Sequence, residues 1–215
     1  MRASAANLDQ LEEQLTGPLP GHAGFLALSG WRTQAIEEAR KRDASPKESA
    51  VMVLLHDRDG RLQTTLIQRP EYDGVHSGQV AFPGGRREPE DVDLWATAQR
   101  EMHEEIGVPS DGLRLLGRLS ELYIPPSRSL VSPHVAYLPS APSYAPDARE
   151  VAAVFEVALS DLLAPAALGT AQRYVQVVEV KADVACFHLG GREVWGATAM
   201  MLWELRELLL RMRDT

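Results

Sequence analysis

The chain of 215 residues contains one cysteine, Cys186, so no disulfide can form within it, and a reducing compartment is the simplest setting. A single cysteine also excludes a multi-cysteine zinc site. Six histidines (His22, His56, His76, His103, His134 and His188) are scattered and form no ligand pair. No G-x-S-x-G occurs, so a nucleophile elbow has no candidate. No apolar run approaches membrane-spanning length, and Met1 to Leu15 is polar and charged, unlike a signal peptide. A cytoplasmic protein with no membrane partner is the resulting expectation. Repeats and low-complexity tracts are absent. Positive charge is also in short supply: 22 Lys and Arg stand against 30 Asp and Glu, a formal net charge of −8. That balance argues against nucleic acid as a partner. For an anionic substrate, bound metal and local arginines must reverse the field at the site.

Hydrophobic residues make up 45% and charged residues 24%, enough apolar material for the core of a globular protein. The length suits one large domain, or one domain with additions.

The most informative stretch runs from Gly84 to Val108. Its last part is Arg100-Glu101-Met102-His103-Glu104-Glu105-Ile106-Gly107-Val108. In a helix, Glu101, Glu104 and Glu105 share one face at i, i+3 and i+4. Like charges so placed need a positive partner, and Mg²⁺ is commonly held by a few carboxylates plus substrate phosphate. Helix signals surround them. Pro89, Glu90, Asp91 and Asp93 predict an acidic first turn. Trp95, Ala98, Met102 and Ile106 form an apolar stripe, and Gly107 followed by Pro109 is a stop. Arg100 and Glu104, at i and i+4, can pair. Upstream, Phe82-Pro83-Gly84-Gly85 lets the backbone approach a ligand closely and could bring a carbonyl to the same cation.

This stretch resembles the Nudix box, G-x5-E-x7-R-E-U-x-E-E-x-G-U with U aliphatic. Arg100 to Val108 matches at every fixed position. The first half departs: five residues after Gly85 comes Asp91 in place of glutamate, and eight residues, one more than the motif, separate it from Arg100. The same insertion is found in the coenzyme A diphosphatase branch, and Gly78 followed by three residues and Phe82-Pro83-Gly84-Gly85 is similar to that branch's upstream G-x3-FPGG motif. The upstream motif's arginine would fall on Gly74, a second departure. The resemblance implies an α/β/α sandwich with a mixed sheet. It also implies Mg²⁺- or Mn²⁺-dependent cleavage of a diphosphate, with coenzyme A going to 3′,5′-adenosine diphosphate and 4′-phosphopantetheine. ADP-ribose and dinucleoside polyphosphates are alternative substrates. A catalytically silent nucleotide-binding domain is a further alternative, disfavoured because all three glutamates are kept. Glu101 and Glu105 are the expected first metal ligands, Glu104 the support for a second ion and a candidate general base, and the Gly85 carbonyl a further ligand. Arg100 would orient the glutamates.

Around this centre the chain reads as an N-terminal helical arm (1–45), a hydrolase domain (46–190) and a C-terminal helix packed on it (191–215). Helical segments are expected at 5–15, 23–28 and 33–41. Strands are expected at Val51–Leu55, Leu62–Gln68, Leu113–Leu119, Val135–Leu138, Val151–Leu159, Val175–Val180 and Val184–Leu189. Residues 122–133, rich in proline, are expected to be extended or looped. Ser160 is the expected cap of a short helix, and a long helix is expected from Ala197 to Met212. Arg69, His76, Gln79 and Arg128 are the substrate-binding candidates, since guanidinium groups grip phosphate and the neutral groups donate. Trp195 is expected in the core. Leu208-Leu209-Leu210 is too apolar for solvent all round, leaving burial in the chain or a homodimer contact.

Overall fold

The structure, a computed structural model, describes residues 4–28, 32–73, 76–175 and 180–213. Three helices come first: α1 (Ala5–Thr16), α2 (Ala23–Leu28) and α3 (Arg32–Arg42). Strands β1 (Lys47–Arg58), β2 (Arg61–Gln68), β3 (Val80–Ala81) and β4 (Gly84–Arg86) lead into helix α4 (Leu94–Ile106). Next are β5 (Arg114–Arg118), β6 (Leu122–Ile124), β7 (Ser129–Leu138), β8 (Ala153–Ala158), the short helix α5 (Leu159–Leu162) and a 3₁₀ turn at Pro165–Ala167. Strands β9 (Leu168–Val175), β10 (Val180–Leu189) and β11 (Arg192–Trp195) and helix α6 (Gly196–Arg211) complete the described chain.

The main sheet is mixed. Its central pair, β1 and β7, is parallel and in register from Lys47 opposite Ser129 to His56 opposite Leu138. β2, β3, β4, β5, β6 and β8 add to it antiparallel. A smaller antiparallel sheet has the order β11-β10-β9. Because alternate residues of a strand face opposite sides, β1 serves two cores. Ala50, Met52 and Leu54 pack on α4 through Ala98, Met102 and Ile106. Val53 and Leu55 pack on the other side with Leu11 of α1 and Leu202, Leu205 and Leu209 of α6. Each fully buried aliphatic side chain contributes about 1.5–3 kcal/mol. The expected α/β sandwich with a mixed sheet is therefore observed. The N-terminal helices are docked, not loose: Phe25 stacks on Phe187 with ring centroids 6.2 Å apart and lies 5.9 Å from Trp203.

Several expectations need correction. The acidic residues do not form the first turn of α4. Asp93 is its N-cap, accepting from the Ala96 N–H at 2.8 Å, and Pro89, Glu90 and Asp91 lie ahead of the helix. β7, with 10 residues, is more than twice the length expected and runs through Pro133. Proline is tolerated there because the ladder asks only for its carbonyl, which accepts the Leu119 N–H at 3.0 Å. α5 starts at Leu159 without a side-chain cap, and the Ser160 hydroxyl turns to Asp161 instead. The strand expected at Val175–Val180 is instead the junction of β9 and β10, and residues 176–179 lie outside the described residues. Leu208 and Leu209 are buried within the chain itself. No helix among the described residues is long and apolar enough to cross a membrane.

Candidate active site

Helix α4 is held at both ends, which fixes the glutamates between them. At its C-terminus Gly107 has φ +70°, the left-handed conformation that favours glycine, and its N–H donates to the His103 carbonyl at 2.8 Å. Next to this cap, the segment before β8 is strapped on: Ala145 N–H donates to the Ile106 carbonyl at 2.9 Å and Asp147 N–H to the Glu105 carbonyl at 3.0 Å.

On the face toward β4, Arg100 acts as a hub. A guanidinium has five N–H donors in a rigid fork, and all five are engaged. Nε and Nη2 bind the two carboxylate oxygens of Asp91, both at 3.0 Å. Nη2 also donates to the Arg86 carbonyl at 3.0 Å, and Nη1 donates to Glu101 at 3.1 Å and to Glu104 at 2.8 Å. Asp91 is buried and further accepts from the Glu88 N–H and the Thr97 hydroxyl, each at 2.9 Å. The Arg100 guanidinium beside Asp91 holds its carboxyl well below the usual range. Sequence reasoning left Asp91 without a role. Its place in the structure is to aim Arg100, an assignment that needed the loop's closure onto the helix.

Glu101 and Glu105 face the glycine strand. Glu105 is buried; its Oε2 accepts the Gly84 N–H at 2.8 Å and its Oε1 lies 3.8 Å from Nη1 of Arg69. These partners do not offset the loss of hydration, and burial pushes its pKa up to about 8. Burial raises Glu101 as well, against the pull of Arg100. Gly85 lies directly against Glu101: a Cβ there would be 2.3 Å from the carboxylate, so only glycine permits this approach. Glu104 diverges from the other two, with about half of its side chain exposed, toward Arg100. Of the three glutamates expected on one face, Glu105 is buried, Glu101 half-buried and Glu104 an exposed outlier. Glu150 enters instead. Its charge raises both Glu101 and Glu105, and nothing about a lone glutamate in a loop marks it in the sequence.

Among the described residues no three His, Cys, Asp or Glu side chains form a ready-made metal cage. The donor chemistry nonetheless fits a hard divalent cation, because Mg²⁺ is typically held by one or two carboxylates and completed by water and substrate phosphates. A buried Glu105 short of positive partners, with the half-buried Glu101 and a glycine cradle beside it, is that arrangement.

The other sequence candidates divide. Arg69 is at the site, beside Glu105. His76, with φ +68°, brings Nδ1 to 3.1 Å from Oε1 of Gln79, and both residues line the cleft that begins at Gly84 and Gly85. Arg128 is turned away: its guanidinium binds Asp43 at 2.6 and 3.1 Å, so the structure ties this expected phosphate ligand into a structural ion pair. Trp195, expected in the core, is half-buried and lines the same cleft. Gly74, where the upstream motif has arginine, lies outside the described residues.

Comparison with known proteins adds the following. A family model described as the NUDIX domain matches residues 46–178. The uncharacterized Nudix hydrolase NudL of Photorhabdus laumondii is 34% identical over 134 residues, covering 61% of this chain and 69% of that protein. The protein of the same name from Enterobacter sp. (strain 638) is 35% identical over 136 residues, covering 61% and 68%. Among solved structures, the fold is similar to that of the Nudix hydrolase RenU from M. smegmatis, with a TM-score of 0.54, 19% identity, and coverage of 78% of this chain and 88% of that one.

Proposed function

The chain belongs to the Nudix family of hydrolases, and we propose that it cleaves the diphosphate of coenzyme A or its derivatives, with Mg²⁺ or Mn²⁺ held by Glu101 and Glu105. The hydrolysis reading is supported by one observation: the buried Glu105 and the half-buried Glu101 face the Gly84–Gly85 strand, with Glu105 raised to about 8 by burial. The coenzyme A substrate is supported by the extra residue between Asp91 and Arg100 and by Gly78 ahead of Phe82-Pro83-Gly84-Gly85.

Glu101 and Glu105 would hold a divalent cation, which would supply charge neutralisation for the diphosphate and lower the pKa of a water. The chain's own groups do the remaining work. Asp91 locks Arg100, and Arg100 holds Glu101 and Glu104 in place, so the carboxylates do not reorganise as charge develops. Arg69, 3.8 Å from Glu105, offers its fork to a phosphate oxygen. For the proton of the attacking water, Glu104 is the candidate base, held in place by Arg100 at 2.8 Å. Glu150 is exposed, its N–H donates to the Asp147 carbonyl at 3.0 Å, and its charge adds a smaller push on Glu101 and Glu105. We assign the proton to Glu104.

The test is incubation of the purified protein with coenzyme A, ADP-ribose and diadenosine polyphosphates, with Mg²⁺ or Mn²⁺, resolving the products by ion-exchange chromatography. Release of 3′,5′-adenosine diphosphate from coenzyme A, lowered roughly 10²–10³-fold in Glu101→Gln and Glu105→Gln, is expected. Turnover of ADP-ribose or a diadenosine polyphosphate alone would keep the hydrolysis and replace the substrate. Nucleotide binding without any turnover would identify a silent binding domain.

A further inference from the structure

Beside the glycine strand lies a cavity of about 480 Å³, and its walls have two origins. One side belongs to the matched domain and includes Phe82, Gly84 and Gly85 next to the glutamates, together with Tyr123 and Pro125. The other side is built by segments outside residues 46–178: Ile36 of α3, and Trp195, Ala197, Met200 and Met201 around the start of α6. No aspartate or glutamate is among its described lining residues, in a chain that carries 30 of them. The charged groups on its border are Arg69 and Arg86, at the end where Gly84 and Gly85 meet Glu101 and Glu105.

We propose that this cavity receives an uncharged, largely apolar group joined to the substrate's diphosphate, and that the two flanking segments, more than the family domain, select that group. The proposal rests on the diphosphate reading of the adjoining glutamates. Its polarity has a direction: the arginines at the mouth suit the anionic end, and aromatic, proline and methionine surfaces inside suit a body recognised by shape. Methionines adapt to varied apolar shapes.

The walls are pinned by polar contacts remote from the chemistry. On the α6 side, the Thr198 hydroxyl donates to the Val80 carbonyl at 2.9 Å, fixing the helix start to β3. On the arm side, the carboxylate of Asp43 accepts from the Tyr123 hydroxyl at 2.7 Å and from Arg128 at 2.6 and 3.1 Å. This clasp holds the Pro125–Arg128 turn, in which Arg128 adopts φ +56°, against the segment following α3. Arg128 thus acts on the substrate through the shape of the wall.

The experiment uses non-hydrolysable α,β-methylene analogues of adenosine diphosphate, esterified on the β-phosphate with methyl, butyl or octyl groups. The methyl ester lacking the adenine base is a fourth probe. Dissociation constants are measured by calorimetry with Mg²⁺ for the wild type, Ala197→Phe and Ile36→Phe. The two variants fill the cavity from different segments, and thermal melts establish which of them fold. Affinity rising at least about tenfold from methyl to octyl, with the gain erased in a folded variant, would support the proposal with an aliphatic arm as occupant. No dependence on alkyl length, but a loss on base removal that a folded variant abolishes, would support it with the base as occupant. Equal weakening of all probes by the variants, or no weakening, would overturn it. The probes carry neither a 3′-phosphate nor pantetheine, so this outcome does not depend on whether coenzyme A is the substrate.

Discussion

Two glutamates, one on α4 and one on α6, are sealed into this molecule in opposite circumstances. Glu204 accepts from the Gly21 N–H at 2.8 Å, the Ser120 N–H at 2.8 Å and the Ser120 hydroxyl at 2.6 Å, and His22 lies 3.5 Å away. These partners hold its carboxyl below the usual range in spite of burial. Glu105, equally buried, has one backbone N–H and a guanidinium at 3.8 Å, and its pKa rises to about 8. Glu204 is a completed tie between the N-terminal arm, α6 and the β5–β6 connection. Glu105 is left short of positive partners where a cleft opens. Burial alone does not separate structure from function; the balance of partners does.

The largest effects should come from exchanging the two fates. Glu105→Gln is expected to lower hydrolysis roughly 10²–10³-fold while the free energy of unfolding stays level or rises, because a buried carboxylate is removed. Glu204→Ala is expected to lower the unfolding free energy by about 3 kcal/mol, since charged hydrogen bonds are broken and His22 and Ser120 are left unsatisfied. Its folded fraction should keep its activity. Urea titrations run beside kinetics decide this; stability lost in the first variant and activity lost in the second would erase the distinction.

A smaller effect sharpens the account of how the functional pair is aimed. Asp91→Asn keeps the shape of the side chain but removes the charge opposite Arg100. Loss of such an outer partner typically costs about 10–100-fold in metal affinity or activity. Mg²⁺ titrations of Asp91→Asn should show a drop of that order with little change in thermal midpoint. An unchanged Mg²⁺ dependence would mean that Arg100 needs no anchor.

The smallest effect concerns pH. His134 is buried, with its ring 5.7 Å from that of Trp95 and Nδ1 3.2 Å from the Ser132 carbonyl, and burial lowers its pKa. In the unfolded chain histidine titrates near about 6.5. Below that pH the unfolded state takes up a proton that the native state refuses, so stability falls as the medium is acidified, by up to about 1.4 kcal/mol per pH unit. Glu105 works in the opposite sense. Its raised pKa lets the native state keep a proton, a contribution present at low pH and lost as pH rises through about 8. Measured in the Glu105→Gln background, the unfolding midpoint should therefore drop between about pH 6.5 and 5.5. Adding His134→Gln should flatten that slope, and equal slopes in the two backgrounds would show that His134 titrates normally.

The glutamate helix could be read from the chain because its signals are local. The apolar stripe Ala98, Met102 and Ile106, the stop at Gly107 and the i, i+4 pair of Arg100 and Glu104 all lie within a few turns of one helix, where spacing alone sets which side chains meet. The resemblance to the Nudix box added the pairing of Glu101 and Glu105 with the glycines. Residues whose partners are distant in sequence were not readable in this way. Arg128 has the charge and the loop setting of a phosphate ligand, yet Asp43 claims it across 85 residues. Pro133 suggested a break in a strand, yet the parallel ladder with β1 never calls on the missing N–H.

The sequence by itself determined the local geometry of α4, the mixed α/β character of the fold and the chemical type of the site, because periodicity, caps and motif spacing act over a few residues. Only the tertiary structure decided which glutamates are left short of partners and what walls the cleft. The strap from Ala145 to Glu150, the clasp at Asp43 and the cavity lined by both Ile36 and Trp195 bring together segments far apart along the chain. Burial and pKa depend on that three-dimensional neighbourhood, which no spacing rule encodes.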